Sequence, residues 1–454
     1  MRGISWLLCK ALPMSRKSIL LVFLLALSLR LLFWVFVAHH PERALENDSW
    51  LYLRLGEAVL DSHTFPSILR TPGYPFFISL VYAVFGEFPQ AVLLLQCLLD
   101  SATAVIIALT FFRIFGNARY AVLSGFTYSV NPFAIFYSNM VLTETLFTFI
   151  FVSAISLFFA FLQRGSRRKL ALSSVLLGIG TLCRPISFLV PVLLVPFIFF
   201  KEINLKKKLF WCAIFMMLYS TVLLPWYVRN DRYYGQWTLS TAGRYNIFVN
   251  FAPEVLMGKD RLFSLAGINI IGAIRPYKTR MWHIASAKYG WDTSDRFGVF
   301  DDPVRASILT EEGMKIIRAD PLIFVASHTI GVGRVIAPFF PRFRKITGRD
   351  VAAVSLLSYA IDFLTMAFSL IGIVLSLKDR SREKIRTVIV INMIILIVYF
   401  AVIPGIEGGT RFRVPILPYV TMFSALGVWK SLPLLQRRKK YSVQGKTADP
   451  SEGK

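Results

Sequence analysis

Eight ionisable side chains stand inside or at the ends of long apolar runs: Arg30, Asp100, Glu144, Arg184, Asp362, Glu407, Arg411 and Arg413. A charge held in lipid is expensive and is usually either paired or functional. Asp48 adds a carboxylate in the polar stretch 39–70, HHPERALENDSWLYLRLGEAVLDSHTFPSILR, where Glu42, Glu46, Asp48, Glu57 and Asp61 face Arg43, Arg54 and Arg70. A carboxylate can take a proton from a hydroxyl within hydrogen-bond reach, and the planar arginine fork matches phosphate oxygens. Asp48 and Glu144 are the candidate carboxylates of such a centre, and Arg184, Arg411, Arg229 and Arg244 its candidate phosphate ligands. Each has a plainer reading. Asp48 stands where it could cap a helix over 48–60, on which Leu51 and Leu55 share a face. Glu144 opens an apolar run, where the helix dipole favours an acid. Arg30 and Asp100 fall at nearly the same depth, roughly 12 Å at 1.5 Å per residue, and read as a structural ion pair. Glu407 and Arg413 read as charges reaching to the interface.

The elements that must position these residues are membrane helices. The chain has 454 residues, 55% of them apolar, with 40 Phe and 9 Trp and a mean hydropathy of +0.58. Soluble cores cannot hide that much apolar surface, so a soluble enzyme, a DNA-binding domain and a secreted disulfide scaffold are excluded. Cys9, Cys97, Cys183 and Cys212 lie in or beside apolar runs without a CxxC pair and read as inert thiols. The predicted fold is all-α and polytopic, with about ten transmembrane helices near 18–38, 91–112, 119–137, 143–162, 170–185, 187–200, 209–228, 353–376, 387–403 and 413–430. The short pair 170–185 and 187–200 reads as a tight hairpin about Pro185. Two more apolar pieces, 72–86 and 321–340, read as interfacial helices, the second with a re-entrant element as the alternative.

Charge sets the expected orientation. Basic residues crowd into 1–17, 163–169, 201–208, 378–386 and the tail from Arg437 to Lys440. The positive-inside rule places these in the cytoplasm and leaves 39–90 and 229–352 outside. The net charge of +25 thus marks topology, and no nucleic-acid partner is needed to explain it. The chain divides into an N-terminal membrane module (1–228) carrying the first outer loop (39–90), an extracytoplasmic subdomain with interfacial helices (229–352), C-terminal spans (353–436) and a basic cytoplasmic tail (437–454), read as disordered.

The motifs resemble a known group. Asp48 and Ser49 followed by Tyr52, RTPGYP (Arg70–Pro75), LTETLF (Leu142–Phe147), GIGTLCRP (Gly178–Pro185), PWYVRN (Pro225–Asn230) with STAGRYN (Ser240–Asn246), and RFRVPILP (Arg411–Pro418) appear in that order. Together they resemble polytopic glycosyltransferases of the C superfold, in the bacterial group of protein O-mannosyltransferases, aminoarabinose transferases and lipopolysaccharide-core sugar transferases. The resemblance runs from about residue 20 to about residue 430. It implies a polyprenyl-phosphate sugar donor used on the outer face of the cytoplasmic (inner) membrane, and an inverting transfer at an acidic residue of the first outer loop, matched here by Asp48. Protein O-mannosyltransferases carry an Asp-Glu pair at that point, whereas Ser49 follows Asp48 here. That departure favours a glycan or glycolipid acceptor over a protein.

Within that reading Asp48 serves as base, Glu144 positions the acceptor or the sugar hydroxyls, and Arg184 and Arg411 are best placed for the phosphate. Tyr52, Arg70, Tyr74 and Trp226 are assigned to sugar or lipid contact, with interfacial anchoring as the plainer role of the aromatic rings. No ligand spacing for a metal occurs: a divalent metal is permitted at Asp48 and Glu144 but not required. No phosphate-binding glycine loop occurs either, which argues against a nucleotide-sugar donor. Two rival functions are a transporter or flippase of lipid-linked sugars, which would favour a repeat and a midplane site, and a non-catalytic membrane assembly partner.

Overall fold

The computed structural model describes residues 14–201, 204–261, 270–292, 294, 296–337, 343–349, 352–378 and 384–444. They are helical throughout, and no strand occurs among them. The first half runs α1 (Arg16–His39), α2 (Asn47–Asp61), α3 (Gly73–Phe85), α4 (Pro89–Phe115), α5 (Ala118–Ser129), α6 (Pro132–Ser138), α7 (Glu144–Arg164), α8 (Arg167–Cys183), α9 (Val190–Lys201) and α10 (Leu205–Tyr234). The second half begins with six shorter helices: α11 (Ala242–Asn246), α12 (Ala252–Arg261), α13 (Ile270–Tyr289), α14 (Pro303–Ala319), α15 (Pro321–Ile336) and α16 (Phe343–Thr347). It closes with α17 (Ala352–Lys378), α18 (Lys384–Val402), α19 (Thr410–Arg413) and α20 (Leu417–Gln444).

Among the described residues, seven helices are long and apolar enough to cross a membrane: α1, α4, α7, α10, α17, α18 and the segment Thr410–Ser431 that contains the start of α20. The chain is a multi-pass membrane protein. All ten expected spans are helical, but three fall short of spanning length. The run 119–137 is split because Asn131 caps a new helix, accepting from the Phe133 and Ala134 backbone N–H groups, and Pro132 opens it. The runs 170–185 and 187–200 become α8 and α9 about a short turn at Pro185–Ser187. Here α8 packs on α7 and α10, and α9 on α10 and α18. The expected helix over 72–86 is α3, closed by Gly86 at φ +80, and the expected helix over 321–340 is α15, with residues 338–340 outside the described set. The tail differs from expectation: α20 continues to Gln444, so the predicted disorder does not begin at residue 437, while residues 445–454 lie outside the described set.

Aromatic side chains fill the core of the bundle. Phe111, Phe147, Phe151, Phe158 and Phe159 are fully buried, and Phe151 meets Phe400 edge-on at 5.1 Å. The α17–α20 contact needs glycine: a Cβ on Gly372 would run into the Phe423 carbonyl, and one on Gly427 into that of Phe368. Such close backbone approach is the usual device for packing helices in lipid.

Four of the charges within the apolar runs form two structural pairs. Arg30 and Asp100 pair at 2.6 Å with both side chains buried, as the sequence indicated. The Tyr128 hydroxyl donates to Asp100 at 2.6 Å, and Arg30 donates to the Ala26 and Ser129 carbonyls. Arg413 corrects its expectation: it is fully buried, paired with Asp362 at 2.6 Å, and donates to the Val335 and Ala337 carbonyls. It does not reach to an interface, because the C-terminal end of α15 folds over it.

The loops sort to two ends of the bundle. At one end Arg113, Gln163 and Lys201 are linked by hydrogen bonds, joining the basic connections. The opposite end gathers α2, the start of α7, the end of α8 and α19.

Candidate active site

Two carboxylates and three arginines alternate at that second end. Arg70 Nη2 lies 2.7 Å from Asp48 Oδ1, and Arg411 Nη1 lies 2.7 Å from Asp48 Oδ2. Arg411 Nε also reaches Glu144 Oε1, and Arg184 Nη1 meets the same oxygen at 2.8 Å. The order is Arg70, Asp48, Arg411, Glu144, Arg184. Arg411 therefore bridges the two carboxylates on which the sequence permitted a divalent ion. Among the described residues, no group of three or more His, Cys, Asp or Glu side chains is arranged to hold a metal.

Local structure explains each placement. Asp48 is not the N-cap of α2, contrary to its plainer reading. Glu46 takes that position: its backbone carbonyl accepts from the Ser49 N–H at 2.9 Å, while the Glu46 N–H donates to Ser49 Oγ at 2.9 Å, the reciprocal half of a capping box. Ser49 is buried and donates onward to the Val141 carbonyl at 2.8 Å. This capping box leaves Asp48 in the first turn, free to face the cluster. Arg70 sits on the connection between α2 and α3, which Asp301 holds by accepting from the Ser67 hydroxyl and the Ile68 and Leu69 N–H groups at 2.7–2.9 Å. Glu144 is the first residue of α7 and fully buried, and Arg184 ends α8. The helix dipole alone therefore does not account for Glu144, since two guanidinium groups converge on it.

The cluster is open on one side. The side chains of Arg411, Asp48 and Arg70 are 30%, 20% and 14% exposed, whereas Glu144 is sealed behind them. Burial opposes ionisation of Asp48, but Arg70 and Arg411 outweigh it and hold this carboxyl well below its ordinary value of 3.8. The two guanidinium groups thus favour the ionised form of Asp48. Burial pushes the Tyr52 phenol up, with Asp48 adding to the effect and Arg70 opposing it.

The remaining sequence candidates divide. Tyr52 belongs to the site wall: Arg70 lies 5.3 Å over its ring. Tyr74 stands behind it, edge-on at 5.2 Å, fully buried, with its hydroxyl donated to Gln96 at 2.7 Å. Trp226 is also buried, and its Nε1 donates to the Leu239 carbonyl at 2.9 Å. Neither ring presents a face to a ligand here, because each packs into the support of the first loop. Arg229 stands with that support and not with the cluster. It donates to the Phe65 and Ser67 carbonyls and stacks on Trp226 at 4.7 Å. Arg244 bonds the Pro303 carbonyl and Gln236, likewise away from the five-residue chain. Two residues near the site were not singled out as candidates. Tyr245 stacks on Phe297 and feels the charges of both Asp48 and Glu407. Glu407, read as an interfacial charge, instead accepts from Asn250 Nδ2 at 3.0 Å beside the cluster.

The chain resembles known proteins at two levels, a family model and the fold. Residues 69–226 match the family model described as dolichyl-phosphate-mannose-protein mannosyltransferase. The resemblance read from the sequence is borne out by that match and by the fold. The structure is similar to the oligosaccharyltransferase AglB from Archaeoglobus fulgidus, solved with an inhibitory peptide and a dolichol-phosphate. That likeness has a TM-score of 0.55 and 16% identity, over 96% of this chain and 52% of that one. The same enzyme tethered to an acceptor peptide matches at TM-score 0.55 and 15% identity, over 93% and 50% of the two chains. ArnT from Cupriavidus metallidurans bound to undecaprenyl phosphate gives a TM-score of 0.42 and 15% identity, over 90% and 78%. The chain spans about half the length of the oligosaccharyltransferases it matches. No curated protein sequence matches it significantly.

Proposed function

We propose that the protein is an integral-membrane inverting glycosyltransferase that moves a sugar from a polyprenyl-phosphate donor to a hydroxyl of a glycan or glycolipid. In this reading it works on the outer face of the cytoplasmic membrane. One observation carries it: an alternating chain of three arginines and two carboxylates, open on one side, at the end of an apolar helical bundle. Three of its members, Arg70, Glu144 and Arg184, fall inside the segment matched by the mannosyltransferase family model.

The charges suit the reaction. The cluster carries one surplus positive charge, which a phosphodiester donor neutralises. As the bond from the sugar to phosphate breaks, negative charge grows on the phosphate oxygen, and preorganised guanidinium groups stabilise that growth. Arg411 and Arg184 are the phosphate ligands in this scheme, with Arg411 the more accessible. Asp48 faces the positive charge that develops at the anomeric carbon, orients the incoming hydroxyl and takes its proton as the phosphate draws Arg411 to itself. Glu144 fixes Arg184 and Arg411 against each other. Ser49 in place of the second acid of that Asp-Glu pair supports the preference for a non-protein acceptor: it is buried and donates to the Val141 carbonyl, a bond an ionised glutamate there could not make.

The test is transfer by the purified protein from a panel of radiolabelled polyprenyl-phosphate hexoses and pentoses, with envelope glycolipid extract as acceptor source. Asp48→Asn is expected to lose about 10²–10⁴-fold in turnover while keeping its thermal stability in detergent. Turnover unchanged by that substitution removes Asp48 from the mechanism. Absence of transfer by the wild type from every donor overturns the reading.

A further inference from the structure

Arg70 lies on the connection between α2 and α3, outside any helix, yet its guanidinium reaches Asp48 at 2.7 Å. A loop that carries such a charge must be held from elsewhere in the chain. Three distant segments hold this one. Arg229 of α10 donates to the Phe65 and Ser67 carbonyls. The Thr241 N–H donates to the Ile68 carbonyl at 3.1 Å, and the Thr241 hydroxyl to the Phe300 carbonyl at 2.8 Å. Asp301 makes the densest set. Its Oδ1 accepts from the Ser67 hydroxyl at 2.7 Å, the Ile68 N–H at 2.8 Å and the Leu69 N–H at 2.9 Å. Ser67 Oγ in turn accepts from the Arg70 N–H at 3.2 Å. A continuous path of bonds therefore runs from Asp301 through Ser67 and Arg70 to Asp48.

The same short segment also shapes the seat of the guanidinium. Arg70 lies 5.3 Å from the ring of Tyr52 and 5.6 Å from that of Phe297, four residues before Asp301. The segment is itself pinned. Phe297 stacks on Tyr245, and the fully buried Phe300 meets Tyr245 and Trp282 edge-on at 5.1 and 6.2 Å. Ser67, Ile68 and Leu69 are buried, so water cannot replace the Asp301 carboxylate as their partner.

We propose that Asp301 is a positioning residue of the transfer reaction: it holds the loop that sets Arg70 against Asp48. This role rests on the glycosyltransferase reading above. In that reaction Asp48 takes the hydroxyl proton as the acceptor oxygen bonds to the anomeric carbon. The bond to the phosphate oxygen breaks, and its electron pair leaves with the polyprenyl phosphate. Once the phosphate has drawn Arg411 to itself, Arg70 is the guanidinium left to orient the Asp48 carboxylate. Asp301 touches neither donor nor acceptor and acts only through Arg70.

The experiment is a double-mutant cycle on kcat in the labelled-donor assay, using the full-length purified protein: wild type, Asp301→Ala, Arg70→Ala and the double variant. Asp301→Ala should lower kcat by about 10–100-fold, because a displacement of about 1 Å at a positioned group costs that much. The same substitution made on Arg70→Ala should add little, since the two residues act in one chain. Asp301→Asn keeps an acceptor oxygen toward the loop and should recover most of the turnover. Asp302→Ala removes the neighbouring carboxylate, which caps α14 by accepting from the Val304 and Arg305 N–H groups, and should leave kcat unchanged. Wild-type kcat in Asp301→Ala overturns the assignment. So do equal fractional losses with and without Arg70, or an Asp302→Ala loss as large, since these mark a general structural role. Should Asp301→Ala fail to fold, Ser67→Ala, which cuts the same path at its other end, takes its place in the cycle. A wild type inactive with every donor overturns the parent reading and the assignment with it, whereas an active wild type with additive losses overturns the assignment alone.

Discussion

Arg411 decides how the site is wired. Its guanidinium serves Asp48 through Nη1 and Glu144 through Nε, two carboxylates that are 96 residues apart in sequence and both far from it. A lysine has one compact charge and cannot serve both at fixed geometry. Arg411→Lys is therefore expected to weaken polyprenyl phosphate binding and to lower turnover by about 10–100-fold, a drop of roughly 1.4–2.7 kcal/mol in transition-state stabilisation. Isothermal titration with polyprenyl phosphate, beside the transfer assay, checks it. Equal loss in the lysine and alanine variants would confirm that the fork, and not the charge alone, matters. Full activity in the lysine variant would remove the bridge from the mechanism. Ser49 makes a complementary point. The sequence showed a serine where a glutamate is expected of protein O-mannosyltransferases, and the structure gives that serine a capping duty that frees Asp48.

At the level of elements, the membrane bundle depends on a few points where helix backbones touch. The α17–α20 crossing at Gly372 and Gly427 is the clearest, because the atoms a side chain would meet are carbonyl groups that cannot swing aside. Gly372→Leu should lower stability at or beyond the upper end of the about 1–3 kcal/mol typical of overpacking. Leu370→Ala, on the exposed face of the same helix, should cost little. Thermal unfolding of both variants in detergent distinguishes them, and equal melting temperatures would show that the crossing can relax. The short helices teach a different lesson. The run 119–137 has the apolar content of a span, yet Asn131 and Pro132 end one helix and start another, a boundary written in the residues but masked by their apolar neighbours.

On the scale of the whole molecule, charge is divided between two ends. The basic connections gather at one end, where Gln163 bonds the Arg113 carbonyl and Lys201 bonds the Gln163 carbonyl. The alternating cluster occupies the other. If the basic end faces the cytoplasm, as the positive-inside rule requires, a cysteine at exposed Asp61 will react with a membrane-impermeant maleimide in intact spheroplasts, and one at Ser166 only after permeabilisation. Cys97 and Cys183 are buried and add little background. The reverse pattern would place Asp48 on the cytoplasmic side and undo the proposed use of a donor at the outer face.

The amino-acid sequence by itself determined the class of fold, the helical segments and the sorting of basic residues into alternate connections, and it offered Asp48, Glu144, Arg184, Arg411, Arg229 and Arg244 as candidates, of which the first four meet in the cluster and the last two stand apart. These depend on local periodicity, composition and motif order, all of which a linear reading captures. It also gave the Arg30–Asp100 pair, because two charges at matched depth in lipid have little choice but each other. Only the tertiary structure decided which charges meet. Arg70 joined the cluster because Asp301, more than two hundred residues away, holds its loop. Arg413 was drawn into the core by Asp362, and Glu407 was left beside the cluster with an amide for a partner. Pairing of ions is a through-space competition among groups delivered by distant helices, and nothing in the spacing along one chain records which of them will win.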